Sequence, residues 1–244
     1  MTIPPVSGKE ESGRPLQKMF ASVPPSYDML NRILTLRLDQ AWRSKAASLC
    51  FENRPSRVLD LCCGTGDLAI QLRKRAGTAA KVYALDFSEP MLHLATGKAA
   101  RRRYDDIEFI HGDAAAMPFS DGFFDSIGIA FAFRNLTFNN PDSGRFLREI
   151  LRVLKPGGLF VAVETSQPRS RLLRKLFHLY LRHVTAPFGG FVSGHRGAYK
   201  YLSHSAINYY TASELKKLLL NAGFKNLSFI PLLGGVAGIL KSEK

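Results

Sequence analysis

Apolar positions along this chain change period several times, and the changes delimit its elements. The run Val58-Leu59-Asp60-Leu61-Cys62 is short and almost continuously apolar, as a strand covered on both faces is. It breaks at Gly64-Thr65-Gly66, and apolar residues then return at helical spacing over Leu68-Ala69-Ile70-Gln71-Leu72. Val82-Tyr83-Ala84-Leu85 predicts a second strand that ends at Asp86. Ser88 with Pro90 predicts a helix start, and that helix runs to Arg101-Arg102-Arg103, a basic triplet suited to a solvated helix end. Further strands are expected at Ile107 to His111, Ser126 to Ala130 and Leu159 to Val163. A helix is expected from Asn140-Pro141-Asp142 to about Leu154, with Phe146, Leu147, Ile150 and Leu151 keeping the 3.6 period and Lys155-Pro156-Gly157-Gly158 as its stop. Ahead of the first strand, Tyr27 to Leu34 and Asp39 through Trp42 to Leu49 have helical spacing and predict a lid over the carboxyl edge of the sheet.

The alternation is interrupted from Gln167 to Tyr210, which reads as an insertion rich in Arg, His, aromatic residues and Gly. It then resumes with a capping box, Thr211-Ala212-Ser213-Glu214, and a helix stopped by Gly223. Lys225 to Pro231 and Val236 to Lys241 are joined by Leu233-Gly234-Gly235 and predict an antiparallel edge hairpin. The fold expected is therefore α/β and Rossmann-like, with a seven-stranded, mostly parallel sheet and helices on both faces. The domain reading is a disordered leader over 1–17, a helical lid over 18–50 and a ligand-binding domain over 51–244 that carries the insertion at about 167–210.

Strand, glycine turn and helix open a nucleotide-binding unit, because a ligand approaches bare backbone closely only where no Cβ intervenes. Helix N-terminal amides add donors at the same place. The turn is not the dinucleotide fingerprint, since Gly64-Thr65-Gly66-Asp67-Leu68-Ala69 lacks the third glycine. Asp60 lies inside the first strand, which suits a cationic ligand such as S-adenosylmethionine (SAM) better than a pyrophosphate. Asp86 falls roughly 20 residues past the turn, where a carboxylate takes ribose hydroxyls. A degenerate dinucleotide fold is the competing reading.

Composition narrows the partners. The chain has 244 residues, long enough for one α/β domain with additions. The formal charge is +14, which points to an anionic partner surface, either nucleic acid or a membrane leaflet. Cys50, Cys62 and Cys63 form neither a disulfide framework nor a zinc spacing, so a cytoplasmic setting without a metal is expected, with Cys62 and Cys63 as small hydrophobes on the first strand. No apolar run is long enough for a spanning helix, and Met1 to Pro15 lacks the apolar core of a signal peptide.

Several stretches resemble one family. Tyr27-Asp28-Met29-Leu30-Asn31 with Trp42, and Arg152 to Gly158 followed by Glu164-Thr165-Ser166, are similar to the two signatures of the ubiquinone/menaquinone biosynthesis C-methyltransferases. Phe133-Arg134-Asn135-Leu136-Thr137 and Tyr199-Lys200-Tyr201-Leu202 also fit, and the match runs from about Phe20 to the C-terminus. The resemblance implies a class I SAM-dependent methyltransferase that acts on a polyprenylated quinol, with demethylmenaquinol the leading acceptor and a benzoquinol intermediate left open. It implies that Thr65, Asp86, Phe87, Asp113 and Ala114 contact SAM and that Asp60 and Gly64 shape its methionine end. The chain departs from the family at Cys62-Cys63 (usually Gly-Gly or Ala-Gly), Thr35 (Ser), Asp39 (His), Ala130 (often Ser), Ser205-Ala206 (Ser-Ile) and Tyr209-Tyr210 (often Phe-Pro).

Methyl transfer to carbon needs alignment and a more nucleophilic ring, so a group that stabilises a phenolate or removes its proton is required. Arg134 and Asn135 are the candidates, with Asp67 as a nearby carboxylate; His195 and His204 are weaker ones. Arginine is too basic to act as a literal base, so Arg134 is assigned to stabilising the phenolate or ordering a water. The alternatives carried are an RNA methyltransferase, a methyltransferase of another lipid-like acceptor, and a SAM-fold binding protein without activity. No separate basic RNA-binding module is evident. Pro168 to His183 pairs leucines with Arg171, Arg174, Lys175 and Arg182, and predicts a basic amphipathic helix that either docks on an anionic membrane or packs as a lid. The expected location is cytoplasmic; a peripheral contact with the inner membrane face and homodimerisation are both left open.

Overall fold

The structure, a computed structural model, describes residues 27–194 and 196–244. The leader expected over 1–17 lies outside the described residues. Helices α1 (Tyr27–Leu34) and α2 (Leu38–Cys50) precede β1 (Arg57–Leu61), α3 (Asp67–Ala76), β2 (Lys81–Asp86) and α4 (Glu89–Ala100). Then come β3 (Glu108–His111), β4 (Phe124–Ala130), α5 (Phe133–Thr137), α6 (Ser143–Val153) and β5 (Leu154–Thr165). Helix α7 (Arg171–Tyr180), a π turn (Leu181–Thr185), α8 (Ala186–Ser193) and α9 (Arg196–Ile207) fill the interruption before α10 (Ala212–Ala222), β6 (Lys225–Leu232) and β7 (Ala237–Glu243).

The seven strands run in the order β3-β2-β1-β4-β5-β7-β6. Pairs among β1 to β5 are parallel, and β7 is antiparallel to both β5 and β6. Chain order reverses between β1 and β4, and it is outside the carboxyl ends at such a switch point that α/β sheets form a crevice. Alternation on β1 and β2 explains their continuous apolar character. Leu59, Leu61, Tyr83 and Leu85 pack against α6 and α10 on one face, while Val58, Val82 and Ala84 meet α2, α3 and α4 on the other. Helix α2 therefore contributes to the core as well as to the ligand end, with Ala46, Ala47 and Cys50 buried.

Several local expectations are corrected. Cys62 and Cys63 are not on the first strand, which stops at Leu61; they form the entry to the turn, and Cys62 has a φ of 54°. Ser88 occupies the N-cap of α4, but its hydroxyl makes no capping bond; Pro90 sets the first turn instead. Just past β4, Arg134 and Asn135 lie on the short helix α5. Helix α6 starts at Ser143 rather than Asn140. Strand β5 begins before its expected start, with Leu154 opposite Phe124 and the Pro156-Gly157 bulge inside it. The capping box on α10 and its Gly223 stop are as read.

Two glycines of the turn have different duties. Gly66 has a φ of 77°, and a Cβ there would stand 2.9 Å from Ala95 Cβ of α4. Gly64 has a φ of 52°, and a Cβ would meet no protein atom within 4 Å. Gly66→Ala therefore combines left-handed strain with overpacking, about 2–4 kcal/mol together. It should lower the thermal midpoint by about 5–15 °C. Gly64→Ala adds strain of about 1 kcal/mol alone and should lower it by a few degrees. Thermal unfolding of both variants checks the contrast; equal shifts would contradict it.

Candidate active site

A cavity of about 1040 Å³ opens at the carboxyl edge of the sheet, between the switch point and the helices α1, α7 and α9. One end is built by the turn after β1. Asp86 ends β2, is buried, and accepts from the Gly64 amide at 2.8 Å and the Ser88 amide at 2.9 Å. Burial raises its carboxyl above the usual range against the opposing effect of these amides and that of Phe87. Asp60 is also buried and accepts from the Ala69 amide of α3 at 2.7 Å. Burial pushes its carboxyl well up, partly offset by that amide and by Arg43. Asp113 folds back on the Ala115 amide at 2.8 Å, and with Ala114 and Phe87 it completes this end. Cys62 and Cys63 line it as well; burial first, then Asp60 and Asp86, raises both thiols far from reactivity.

Donors and acceptors here suit SAM. Gly64 leaves the cavity wall bare, and Asp86 has lone pairs beyond the two amides it already accepts from. Asp60 and Asp113 offer further carboxylate charge to a cationic ligand, and all four residues line one cavity.

The other end is built by α5, β5 and α9. Arg134 is buried, and its Nη1 donates to Glu164 Oε1 at 2.9 Å and Thr165 Oγ1 at 2.6 Å. Its Nε donates to Ser205 Oγ at 3.1 Å. Glu164 is equally buried and also accepts from the amides of Arg134 at 3.1 Å and Thr165 at 2.8 Å. Asn135, Tyr201 and His204 line the same end. Burial raises the Tyr201 phenol above its usual range, with Arg134 and Glu164 close enough to act on it electrostatically. Tyr209 meets Thr137 Oγ1 at 3.1 Å and Tyr210 reaches the Thr137 carbonyl at 3.4 Å, so the Tyr-Tyr departure pins the end of the helix that carries Arg134.

The sequence-derived candidates are thus divided. Asp60, Gly64, Phe87, Asp86, Asp113 and Ala114 gather at the turn, and Arg134, Asn135 and His204 at the opposite end. The Thr65 hydroxyl is engaged elsewhere, donating to Asp28 of α1 at 2.6 Å. Asp67 is not a free carboxylate beside Arg134: it accepts from Lys98 at 2.8 Å and Gln40 at 2.9 Å, with Arg32 at 3.5 Å. Burial alone would raise its carboxyl, but Lys98 outweighs that and holds it below the usual range. His195 lies outside the described residues. Glu164, Tyr201, Lys98 and Arg43 went unassigned from sequence. Arg43 pairs with Asp39 at 2.5 Å and stacks 4.8 Å over Phe131, and the i, i+4 spacing of Asp39 and Arg43 on a helix was its one readable signal. Thr35 and Asp39, two of the family departures, bond to each other at 3.0 Å. Among the described residues no cluster of His, Cys, Asp and Glu is arranged to hold a metal.

Asp86→Ala should weaken SAM binding more than tenfold while the fold persists, because a charge-assisted hydrogen bond is worth about 2 kcal/mol. In the parent protein that affinity should fall on acidification from above the ordinary carboxylate range, since a raised carboxyl takes its proton earlier as pH drops. Calorimetry across pH checks both, and an unchanged affinity would remove Asp86 from the site.

The fold is shared widely. A SAM-dependent methyltransferase from Aquifex aeolicus superposes with a TM-score of 0.61 at 19% identity, over 92% of this chain and 96% of that one. In sequence, a demethylmenaquinone methyltransferase of Deinococcus radiodurans is 40% identical over 241 residues, 99% of this chain and 97% of that protein. One of Thermus thermophilus is 41% identical over 221 residues, 91% and 97% of the two. The model of the ubiE/COQ5 methyltransferase family matches residues 7–244. With that match across the whole described fold, and relatives that align along nearly their entire length, the chain belongs to the ubiE/COQ5 methyltransferase family.

Proposed function

We propose that this chain moves the methyl group of SAM to a ring carbon of a polyprenylated quinol, demethylmenaquinol. The observation that carries the reading is end-to-end similarity to proteins named demethylmenaquinone methyltransferase, over a cavity with one polar end for a ring and one apolar mouth for a tail. Asp86, Asp60, Asp113, Phe87 and the Gly64 turn would hold SAM, which supplies a methyl group on a good sulfonium leaving group. The chain's own task is to orient the ring carbon and stabilise charge on the adjacent oxygen as the hydroxyl proton leaves.

Arg134 serves that task as a charge stabiliser. Its guanidinium stays protonated, and three contacts through Nε and Nη1 fix its plane, leaving Nη2 for an acceptor oxygen. Glu164 balances its charge, so the buried site carries an oriented dipole rather than an isolated cation. Asn135 lies beside it on α5 as a second polar group for the ring, and the Tyr201 phenol lines the same end.

The mouth supports a membrane-borne acceptor. The inner face of α7, with Leu173 and Phe177, lines the cavity, while Leu172, Leu176 and Leu179 are half or more exposed. Leu36 after α1 and Phe191 on α8 are about four-fifths exposed, at 82% and 79%. Arg171, Arg174, Lys175, His178 and Arg182 surround a shallow groove on the flank of α7. No helix among the described residues is long and apolar enough to cross a membrane, so a peripheral contact is the one proposed. RNA methylation is less well supported, since the relatives that align along nearly the whole chain are named demethylmenaquinone methyltransferases.

The test is turnover on demethylmenaquinol in vesicles, read as methylated quinol by mass spectrometry; no product, with SAM bound, would exclude this acceptor. Arg134→Lys keeps charge but loses the fork that Glu164, Thr165 and Ser205 hold. It should lower turnover on the order of a hundredfold with SAM affinity unchanged. In flotation with anionic vesicles at low salt the parent should float, whereas a variant with Arg171, Arg174, Lys175 and Arg182 changed to Gln should not, each cation being worth about 1 kcal/mol. Like behaviour of the two would make α7 a lid only.

A further inference from the structure

Where α1 meets the cavity wall, Asp28, Thr65 and Asp67 form with Lys98 a polar cluster to which the proposed methyl-transfer chemistry gives no role. Lys98 of α4 sends its three ammonium donors to three places: Asp28 of α1, the Thr65 hydroxyl in the glycine turn at 3.0 Å, and Asp67 at the start of α3 at 2.8 Å. Thr65 in turn donates to Asp28 at 2.6 Å. The Lys98 side chain is 14% exposed, and those of Asp28 and Asp67 are 20% and 10% exposed, so the contacts sit largely out of water. The close packing of Ala95 against Gly66 holds α4 where Lys98 reaches the turn.

Helix α1 needs such a seat. Leu30 is fully buried, but Met29 and Ile33 are about half exposed, so its apolar hold on the core is thin. The segment it leads into, Leu34-Thr35-Leu36, forms a wall of the cavity and accepts from the Tyr180 hydroxyl of α7 at the Leu34 carbonyl, 2.7 Å away. That segment then turns through Leu36 and Arg37, both at positive φ, which only a fixed flank sustains.

We infer that Lys98 is a positioning residue that seats the acceptor wall of the cavity on the cofactor turn, with Asp28 as its counterpart on the lid. The acceptor half is thereby assembled on the cofactor half. Because coupling between two sites is reciprocal, a ligand that orders the Gly64–Gly66 turn also favours a seated α1. This deepens the methyltransferase reading and rests on it only for the identity of the two ligands.

Asp28→Asn tests it with little risk to folding, since the amide keeps the shape and leaves Lys98 with Asp67. Hydrogen exchange of the α1 amides is read with and without SAM. In the parent, SAM should slow α1 exchange several-fold; in Asp28→Asn, exchange should be about tenfold faster and insensitive to SAM. In turnover on demethylmenaquinol, the acceptor KM should rise about tenfold, with kcat within twofold and the SAM Kd within threefold of the parent. Lys98→Met, which also removes the bonds to Thr65 and Asp67, should loosen α1 at least as much, and the double variant should be no worse for α1 than Lys98→Met alone, because the bond to Asp28 is already gone. Unchanged α1 exchange in Asp28→Asn, or lost SAM affinity with an unchanged acceptor KM, would overturn the assignment. A proportional loss in kcat and thermal midpoint with KM unmoved would make the cluster merely structural, and overturn it too. Should the parent bind no SAM, the cofactor reading fails, while α1 exchange in the ligand-free variants still decides whether Lys98 seats the lid.

Discussion

The contact between Gly66 and Ala95 governs the ligand end of this fold. Chain leaving β1 must reverse within a few residues into α3, and it does so with left-handed backbone at Cys62, Gly64 and Gly66. At Gly66 the turn also lies so close to α4 that a Cβ has no place. That approach sets three things at once: the open wall at Gly64, the reach of Asp86 to the Gly64 amide, and the reach of Lys98 to Thr65 and Asp67. Strain of this kind is sustained only where the surroundings over-determine it. Here the covering apolar layers of β1, β2 and α3 do so.

Buried charge is handled in two ways along the cavity. At the cofactor end, Asp60 and Asp86 are stabilised by backbone amides, whose donors are fixed and cost nothing to reorient. Burial nevertheless raises both carboxyls, so a ligand that brings positive charge or hydroxyl donors favours their ionised form. At the acceptor end, Arg134 and Glu164 satisfy each other, helped by Thr165 and Ser205. A buried pair of this quality contributes geometry more than stability, because desolvation cancels much of its attraction. An arginine locked in plane against β5 is what a site needs to meet charge that develops on a ring oxygen.

Helix α7 divides its surface into three. Leu173 and Phe177 face the cavity with Leu176 at its rim, Leu172 and Leu179 face out, and the arginines with Lys175 and His178 form a basic flank. One short helix is thus both wall and outer surface, and the Tyr180 bond to Leu34 joins it to the N-terminal segment. Leucines left exposed beside cations are costly in a surface that meets only water, and they suit an interface between water and hydrocarbon.

Sequence by itself determined the sheet and the switch point, and it named the residues that gather at the glycine turn. Strand burial, glycine spacing and the two aspartates are local signals: the apolar period and the order of turn residues fix β1, β2 and the turn without reference to distant chain. Arg134 was legible as a residue but not as a partner. Its bonds to Glu164 and Ser205 join positions 30 and 71 residues away, and nothing in the periodicity of either segment records that pairing. Asp67 was misread for a similar reason, since its neutralising ammonium comes from α4 and its amide partner from α2. Cys62 was assigned to a strand because side-chain character says nothing of a left-handed φ at a non-glycine residue. The two N-terminal helices were found by their spacing, but the bonds of Lys98 to α1, α3 and the turn were not, because long polar side chains choose partners only after packing has brought three elements to one point.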